Sequence, residues 1–349
     1  MKILHLIDSL GYGGAETLMM NYIPQMQDHD HVISTLSGIN LFPQVAGRFK
    51  YYNLDGSPTK DLFPIIYKLK KIISKEQIDI VHSHSYWTNI ISRLVTPKNK
   101  KLINHYHFAD FDTRLHNYKV KMQLKIDQTI THCNLQRIAV SEYVYSILKK
   151  HFHKSKNNCL PNFVNSEISK DLKLFNYSKS TPLKIIAVGN IKQEKGYDIL
   201  ISAFEKLKDY PIEMDVFGEG GDFQMYVDEL NKRGITALRF CGRQKSTPEL
   251  LHQYNLYCSS STSETFGIAL MEAVSAGLPA LVSDIPAFRE VAPKSTRFFK
   301  MGDSDDFVSQ VIDIYKNGIN TIEHEYKYVL DKYSKSSFLE HLREIYQYE

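Results

Sequence analysis

Short strand-like runs alternate with helical ones along most of this chain, and that rhythm limits the fold more than any other feature. The front part reads "KILHLIDS", "AETLMMNYIPQM", "HVISTLSG", "PIIYKLKKIISKEQ", "DIVHSHS", "WTNIISRLV", "KLINHYHF" and "RIAVSE" in turn. Strands separated by helices of this length give a parallel sheet covered by helices. The rhythm pauses over "PNFVNSEISKDLKLFNYSKSTP", a polar stretch between Pro161 and Pro182 that reads as a linker. It then restarts with "LKIIAVGN", "MDVFGEG", "LRFCGRQ", "LYCSSS" and "PALVSD" as five strands. Between them "YDILISAFEKLKD", "GDFQMYVDELNKRG", "TPELLHQY" and "GIALMEAVSAG" read as helices. The expected architecture is α/β, with two doubly wound domains facing each other across a cleft and ligands at the carboxyl ends of the strands. A length of 349 residues, 43% of them hydrophobic, is enough for two cores.

No stretch approaches the roughly 18 apolar residues of a membrane span, and the first apolar run is short and carries Asp8. The chain therefore reads as cytoplasmic and not membrane-spanning. Its four cysteines, Cys133, Cys159, Cys241 and Cys258, show no C-x-x-C spacing and read as reduced thiols, not as a disulfide frame or zinc site. Charge is split unevenly. Residues 1–175 carry 23 Lys and Arg against 14 Asp and Glu, and the remainder carries 20 against 25. Such a split suits halves that meet different partners, although solvated faces account for it too.

The stretch "SETFGIALMEAVSAGLPALVSD", Ser263 to Asp284, sets Glu264 and Glu272 among apolar residues, where a carboxylate is costly to bury unpartnered. Glu264 follows the strand "LYCSSS", and Gly267 opens the next helix, whose first amides are free to receive an anion. Glu272 lies five residues beyond Gly267, roughly 8 Å along the axis. One ligand fits this spacing: a pyrophosphate over the helix start, a hydroxylated ring near Glu264 and a ribose-like ring near Glu272. That describes a nucleotide sugar. A Glu272 paired with a buried cation and a solvated Glu264 would be the purely structural alternative.

Nearly the whole chain resembles the retaining glycosyltransferases of family 4, whose fold is GT-B. The family's E-x7-E and A-x-G-x-P signature appears as "ETFGIALMEAVSAGLP". "GNIKQEKGYDILISAF" resembles its G-R-x-x-x-x-K-G segment, "VFGEGGDF" its nucleotide-side glycine loop, and "GYGGAET" its N-terminal glycine loop. The resemblance implies two Rossmann-like domains. The first spans residues 1–165 and is joined by a C-terminal helix, 334–349; the second, residues 180–333, binds the donor. It implies that Glu264 holds donor-sugar hydroxyls, Glu272 the ribose, and the amides around Phe266, Gly267 and Ile268 the pyrophosphate. Lys195 neutralises the leaving diphosphate. Where the family has arginine this chain has Asn190, which can donate a hydrogen bond but brings no charge. Lys192 and Arg243 are the cations left to compensate.

In the front domain His82 with His84, and His105 with His107, form two His-x-His pairs whose members alternation turns to one side. Four imidazoles suit zinc, but no carboxylate completes a hydrolase pattern and no metal is inferred. By resemblance "LINHYH" ends in the active-site histidine, His107, with His105 the alternative register. Gly13 and Gly14 allow close approach of a ligand to the first helix. A nicotinamide dinucleotide fits poorly, since G-x-G-x-x-G would need glycine at Glu16. Of two D-x-D strings, Asp110–Asp112 and Asp303–Asp305, the second reads as a helix cap.

The expected function is retaining, metal-independent transfer of a hexosyl or N-acetylhexosaminyl group from a nucleotide diphosphate donor, a UDP-sugar. The acceptor is a hydroxyl of a glycan or lipid-linked molecule, and the setting is cell-surface polysaccharide synthesis. The donor is a substrate, no cofactor is called for, and no nucleic acid is expected. Basic runs "YKLKK", "KNKK", "HNYKVKMQLK" and "LKKHFHK" suit peripheral contact with an anionic membrane on its inner face. A non-catalytic glycosyltransferase-like subunit is the alternative, and a zinc hydrolase a third reading. The tail "SKSSFLEHLREIYQYE" has apolar residues at helical spacing and, by resemblance, packs against the front domain.

Overall fold

A computed structural model of the chain describes residues 1–11, 13–43, 47–153, 155–164, 177, 182–244 and 248–347. The chain divides into two units: Met1–Phe163 together with Lys335–Glu349, and Val164–Ser334. The linker read from the sequence lies largely outside the described residues.

In the first unit seven parallel strands are ordered β3-β2-β1-β4-β5-β6-β7. They are β1 (Lys2–Ile7), β2 (Asp30–Thr35), β3 (Lys50–Asn53), β4 (Ile80–Ser83), β5 (Lys101–Tyr106), β6 (Leu135–Ala139) and β7 (Lys156–Cys159). The second unit orders six parallel strands β10-β9-β8-β11-β12-β13. These are β8 (Leu183–Val188), β9 (Ile212–Phe217), β10 (Leu238–Phe240), β11 (Leu256–Ser259), β12 (Ala280–Ser283) and β13 (Arg297–Phe299). Each sheet therefore has one point where strand order reverses, β1/β4 in the first and β8/β11 in the second. Loops leaving the two strands there diverge and open a crevice for a ligand.

Both sheets bury their central strands on two faces, which is why "IIAV" and "LIN" read as continuous apolar runs instead of alternating ones. Three strands escape the sequence pattern. β3, β7 and β13 are edge strands of three or four residues, mostly only partly buried, and too short to show a period. The second unit thus has six strands where the sequence suggests five. The helix Lys335–Gln347 packs Phe338, Leu342 and Tyr346 into the core of the first unit beside Ile3, Ile80 and Tyr22. Among the described residues no helix is long and apolar enough to cross a membrane.

Central strands of the first sheet carry an unusual polar set. His5 in β1, His82 in β4, and Asn104 and His105 in β5 are all fully buried. Asn104 is accounted for by Arg93, whose Nε donates to its Oδ1 at 2.7 Å, and Arg93 in turn pairs with buried Asp127 at 2.8 Å.

Candidate donor site and histidine cluster

The crevice of the second unit is built from the loops after β8 and β11. Gly196 closes the first loop at φ +66°, and an added Cβ would stand 2.2 Å from the carbonyl oxygen of Ser260 in the second. Glycine is thus required by both conformation and contact. Three further bonds join the loops. Ser260 Oγ donates to the Lys195 carbonyl at 2.8 Å, Thr262 N to the Glu194 carbonyl at 2.9 Å, and Thr262 Oγ1 to that same carbonyl at 3.1 Å.

This stitching brings Lys195 and Glu264 together across the reversal point. Lys195 Nζ donates to Glu264 Oε1 at 2.5 Å, and Ser261 Oγ donates to the same oxygen at 3.1 Å. Both side chains remain about one-fifth exposed. Water and a ligand can therefore reach a cation and a carboxylate that already face each other. Beneath them Tyr197 and Tyr257 are buried. Burial first, and the Glu264 carboxylate second, push both phenols up; Glu272 contributes to the shift of Tyr257. Tyr257 thus feels both carboxylates of the E-x7-E stretch.

The helix Ile268–Ser275 begins at Gly267, φ +92°, with no side chain capping its amides. Its first N–H groups have no partner within the helix and carry the positive end of its dipole. Phe266 anchors the turn: it is 1% exposed and meets the Tyr333 ring edge-on at 5.2 Å. Glu272 lies half-buried on this helix. Asn190 is exposed on the loop after β8, and only its backbone carbonyl meets Tyr197, at 3.5 Å. Arg243 is also exposed, on the loop after β10, two strands from β8. Ser261 and Tyr257 belong to this site and carry no sequence signal.

In the first unit Gly13 caps and Gly14 opens the helix Gly14–Tyr22 at the end of β1. Gly13 is extended at φ −130°, so its conformation does not demand glycine. His107 directly follows β5, and packing lowers its pKa to about 3, leaving a neutral imidazole that donates or accepts hydrogen bonds. The rings of His105 and His107 stand 4.3 Å apart, those of His82 and His84 4.2 Å, so each pair does face one side. Asp8, at the end of β1, escapes sequence reasoning. Burial raises its pKa, a hydrogen bond with Ser85 lowers it, and one oxygen is buried without a partner among the described residues. The D-x-D strings are structural. Asp303 Oδ1 accepts the amides of Asp305 and Asp306 at 3.0 Å, and Asp112 pairs with Lys150 at 3.2 Å.

Comparison with known proteins bears directly on this arrangement. Residues 12–168 match Glycosyltransferase Family 4, and residues 170–337 match the glycosyl transferases group 1. The chain belongs to the group 1 glycosyltransferases. The chain is 30% identical over 157 residues to a UDP-N-acetylglucosamine–peptide N-acetylglucosaminyltransferase GtfA subunit of Streptococcus agalactiae. That match covers 41% of this chain and 31% of the relative. It is also 26% identical over 275 residues to the GPI3 subunit of a yeast phosphatidylinositol N-acetylglucosaminyltransferase (Saccharomyces cerevisiae), covering 74% of this chain and 59% of that one. The chain thus spans about a third of the length of the streptococcal relative. Its fold is that of Anabaena Alr3699/HepE, solved with UDP and glucose, at a TM-score of 0.79, 16% identity and 99% coverage of both chains.

Proposed function

We propose that this glycosyltransferase moves a hexosyl or N-acetylhexosaminyl group from a UDP-sugar to a hydroxyl of a glycan or lipid-linked acceptor, with retention at the anomeric carbon. The observation that carries this reading is the Lys195–Glu264 pair at the β8/β11 reversal, beside an uncapped helix start. A donor exchanges the pair for itself. Lys195 turns to the diphosphate, Glu264 accepts from the sugar hydroxyls, the amides of Phe266, Gly267 and Ile268 take phosphate oxygens, and Glu272 receives the ribose hydroxyls. Charge developing on the leaving diphosphate meets a preorganised cation and dipole, so no metal is assigned there and no cofactor is required. Attack comes from the face the diphosphate leaves, and His107 contacts the donor sugar or acceptor as a neutral imidazole. The streptococcal relative, a UDP-N-acetylglucosamine-dependent N-acetylglucosaminyltransferase subunit, supports UDP and N-acetylglucosaminyl transfer, and the yeast phosphatidylinositol N-acetylglucosaminyltransferase subunit supports a lipid acceptor. A thermal-shift screen against UDP, GDP and ADP tests the reading: UDP should raise the melting temperature most, and a flat response to all three would refute it.

Two substitutions probe the phosphate cradle. At Gly267 an added Cβ would stand 2.8 Å from the Phe288 ring at φ +92°, so Gly267→Ala must shift the helix start. Affinity for UDP is expected to fall about tenfold or more by titration calorimetry, since strained φ of this kind costs of order 1–3 kcal/mol. Asn190→Arg should instead tighten UDP binding about tenfold by adding a charge-assisted hydrogen bond. Unchanged or weaker binding would show that this loop does not face the diphosphate.

A non-catalytic subunit is the second reading, favoured by Asn190 and by the word "subunit" in both relatives' names. Hydrolysis of a UDP-sugar by the purified chain excludes it.

We place the protein on the cytoplasmic face of an anionic membrane in cell-surface polysaccharide synthesis. The helix Leu62–Lys75 supports this, because it exposes Phe63 (82%), Tyr67 (70%), Lys70 and Lys71 along one stripe. Apolar rings with lysines beside them suit a headgroup layer, at about 1 kcal/mol per basic residue. Flotation with phosphatidylserine vesicles should recover the protein at low salt and lose it on Phe63→Ala with Lys70→Glu. Equal flotation of both proteins would contradict the contact.

A further inference from the structure

Three of the buried histidines in the first unit crowd round one point, and one of their nitrogens, His82 Nε2, has no hydrogen-bond partner among the described residues. His5, His82 and His84 are 0%, 0% and 1% exposed, and one ring nitrogen from each lies within 4.8 Å of the other two. Which nitrogens are available follows from their neighbours. The Met26 carbonyl can only accept, so His31 Nε2, 2.9 Å away, carries a hydrogen. His31 Nδ1 is then a lone pair, and His5 Nε2, 2.9 Å from it, donates. His5 Nδ1 is thereby left as a lone pair aimed inward. His82 Nδ1 is held by the Tyr346 hydroxyl at 2.8 Å, and its Nε2 is buried with no partner among the described residues. His84 Nδ1 faces His107 Nε2 at 3.5 Å. His5 and His84 thus each turn one nitrogen to the Tyr22 hydroxyl, and a nitrogen from each of the three rings lies within 4.8 Å of the other two.

Three edges of that space are metal-sized. His5 Nδ1 and His84 Nε2 are 3.5 Å apart, and the Tyr22 hydroxyl is 3.3 Å from the first and 3.4 Å from the second. Tetrahedral ligands about 2.0–2.1 Å from zinc are separated by about 3.4 Å. Outer-nitrogen partners that fix the tautomer are the usual companions of metal-bound histidine.

We propose that His5, His82 and His84, with the Tyr22 hydroxyl at the fourth corner, form a site for a divalent first-row cation of the zinc class. Imidazole donors without carboxylate suit zinc over magnesium or calcium. The metal is structural. It ties β1 to β4 and, through Tyr346, to the helix Lys335–Gln347. The proposal stands apart from the donor reading, which places no metal at the diphosphate. The zinc idea raised by the two His-x-His pairs returns here in another form, with His5 as a ligand and no hydrolytic role.

The experiment uses the full chain, unfolded in denaturant with a chelator, refolded with either Zn2+ or Co2+ and freed of loose metal by gel filtration. Metal per chain, the visible spectrum of the Co2+ form and the melting temperature are read. About one metal per chain, an intense tetrahedral Co2+ spectrum and a higher melting temperature than the metal-free chain are expected. His5→Gln and His82→Gln should each lower occupancy at least about tenfold, while His105→Gln keeps it. His105 belongs to a second close trio, with His84 and His107, so this control decides which trio binds. If the ligand variants do not fold, the wild-type melting shift and Co2+ spectrum carry the test. Less than about 0.1 metal per refolded wild-type chain, an octahedral Co2+ spectrum, or loss of metal in His105→Gln but not in His82→Gln would overturn the proposal.

Discussion

Glu264→Ala is expected to lower sugar transfer by about 10²–10³-fold while leaving the affinity for free UDP within about twofold of wild type. The carboxylate meets the sugar and not the nucleotide in this account, so its loss removes an interaction that orients the reacting carbon. Glu272→Ala should do the opposite at equilibrium, weakening UDP about tenfold, the value of one or two hydrogen bonds to a charged acceptor. Neither change should unfold the protein. Glu264 and Lys195 form a partly exposed pair, and such pairs contribute little to stability. Transfer rates and UDP titrations of the three proteins decide the matter. Equal UDP affinity in all three would remove the division of labour between the two carboxylates.

Truncation after Tyr333 should have the largest structural effect. It deletes the helix Lys335–Gln347, and with it Phe338, Leu342 and Tyr346, which are 3%, 0% and 1% exposed in the first unit. Loss of each large core side chain costs about 2–5 kcal/mol. The total is comparable with the whole stability of a domain, about 5–15 kcal/mol. The first unit is therefore expected to lose its cooperative melting transition and bind a hydrophobic dye, abolishing transfer. Nucleotide binding should suffer less, because Lys195, Glu264 and Glu272 all belong to the other unit. A truncated protein with a wild-type melting curve and full activity would contradict the role given to the tail.

What the sequence revealed and what it concealed have the same physical origin. Buried parallel strands announce themselves as apolar runs, and "ETFGIALMEAVSAGLP" stands out because two carboxylates interrupt one. Edge strands such as Arg297–Phe299 bury too little to leave a pattern. Ser261 and Tyr257 join the candidate donor site only because the sheet order sets the β8 and β11 loops side by side. Arg243 and Lys192 look equivalent along the chain, and only the strand order sets the first after the edge strand β10 and the second after β8 at the reversal point. His5 is the clearest case. Within "KILHLI" it resembles any core residue, and nothing before folding links it to His82, 77 positions away, beside which it stands in the β1–β4 register.

The central claim is that this chain takes a sugar from a nucleotide diphosphate with retention. It is tested most directly by proton NMR of the purified protein incubated with a panel of UDP-sugars. The anomeric signal of the sugar released by slow donor hydrolysis is recorded before mutarotation. The account predicts that UDP is released from at least one donor without added Mg2+ and that the free sugar first appears in the donor's own anomeric configuration. Its release should be lost in Glu264→Ala. A first product of inverted configuration, or no release of UDP from any donor, would contradict it.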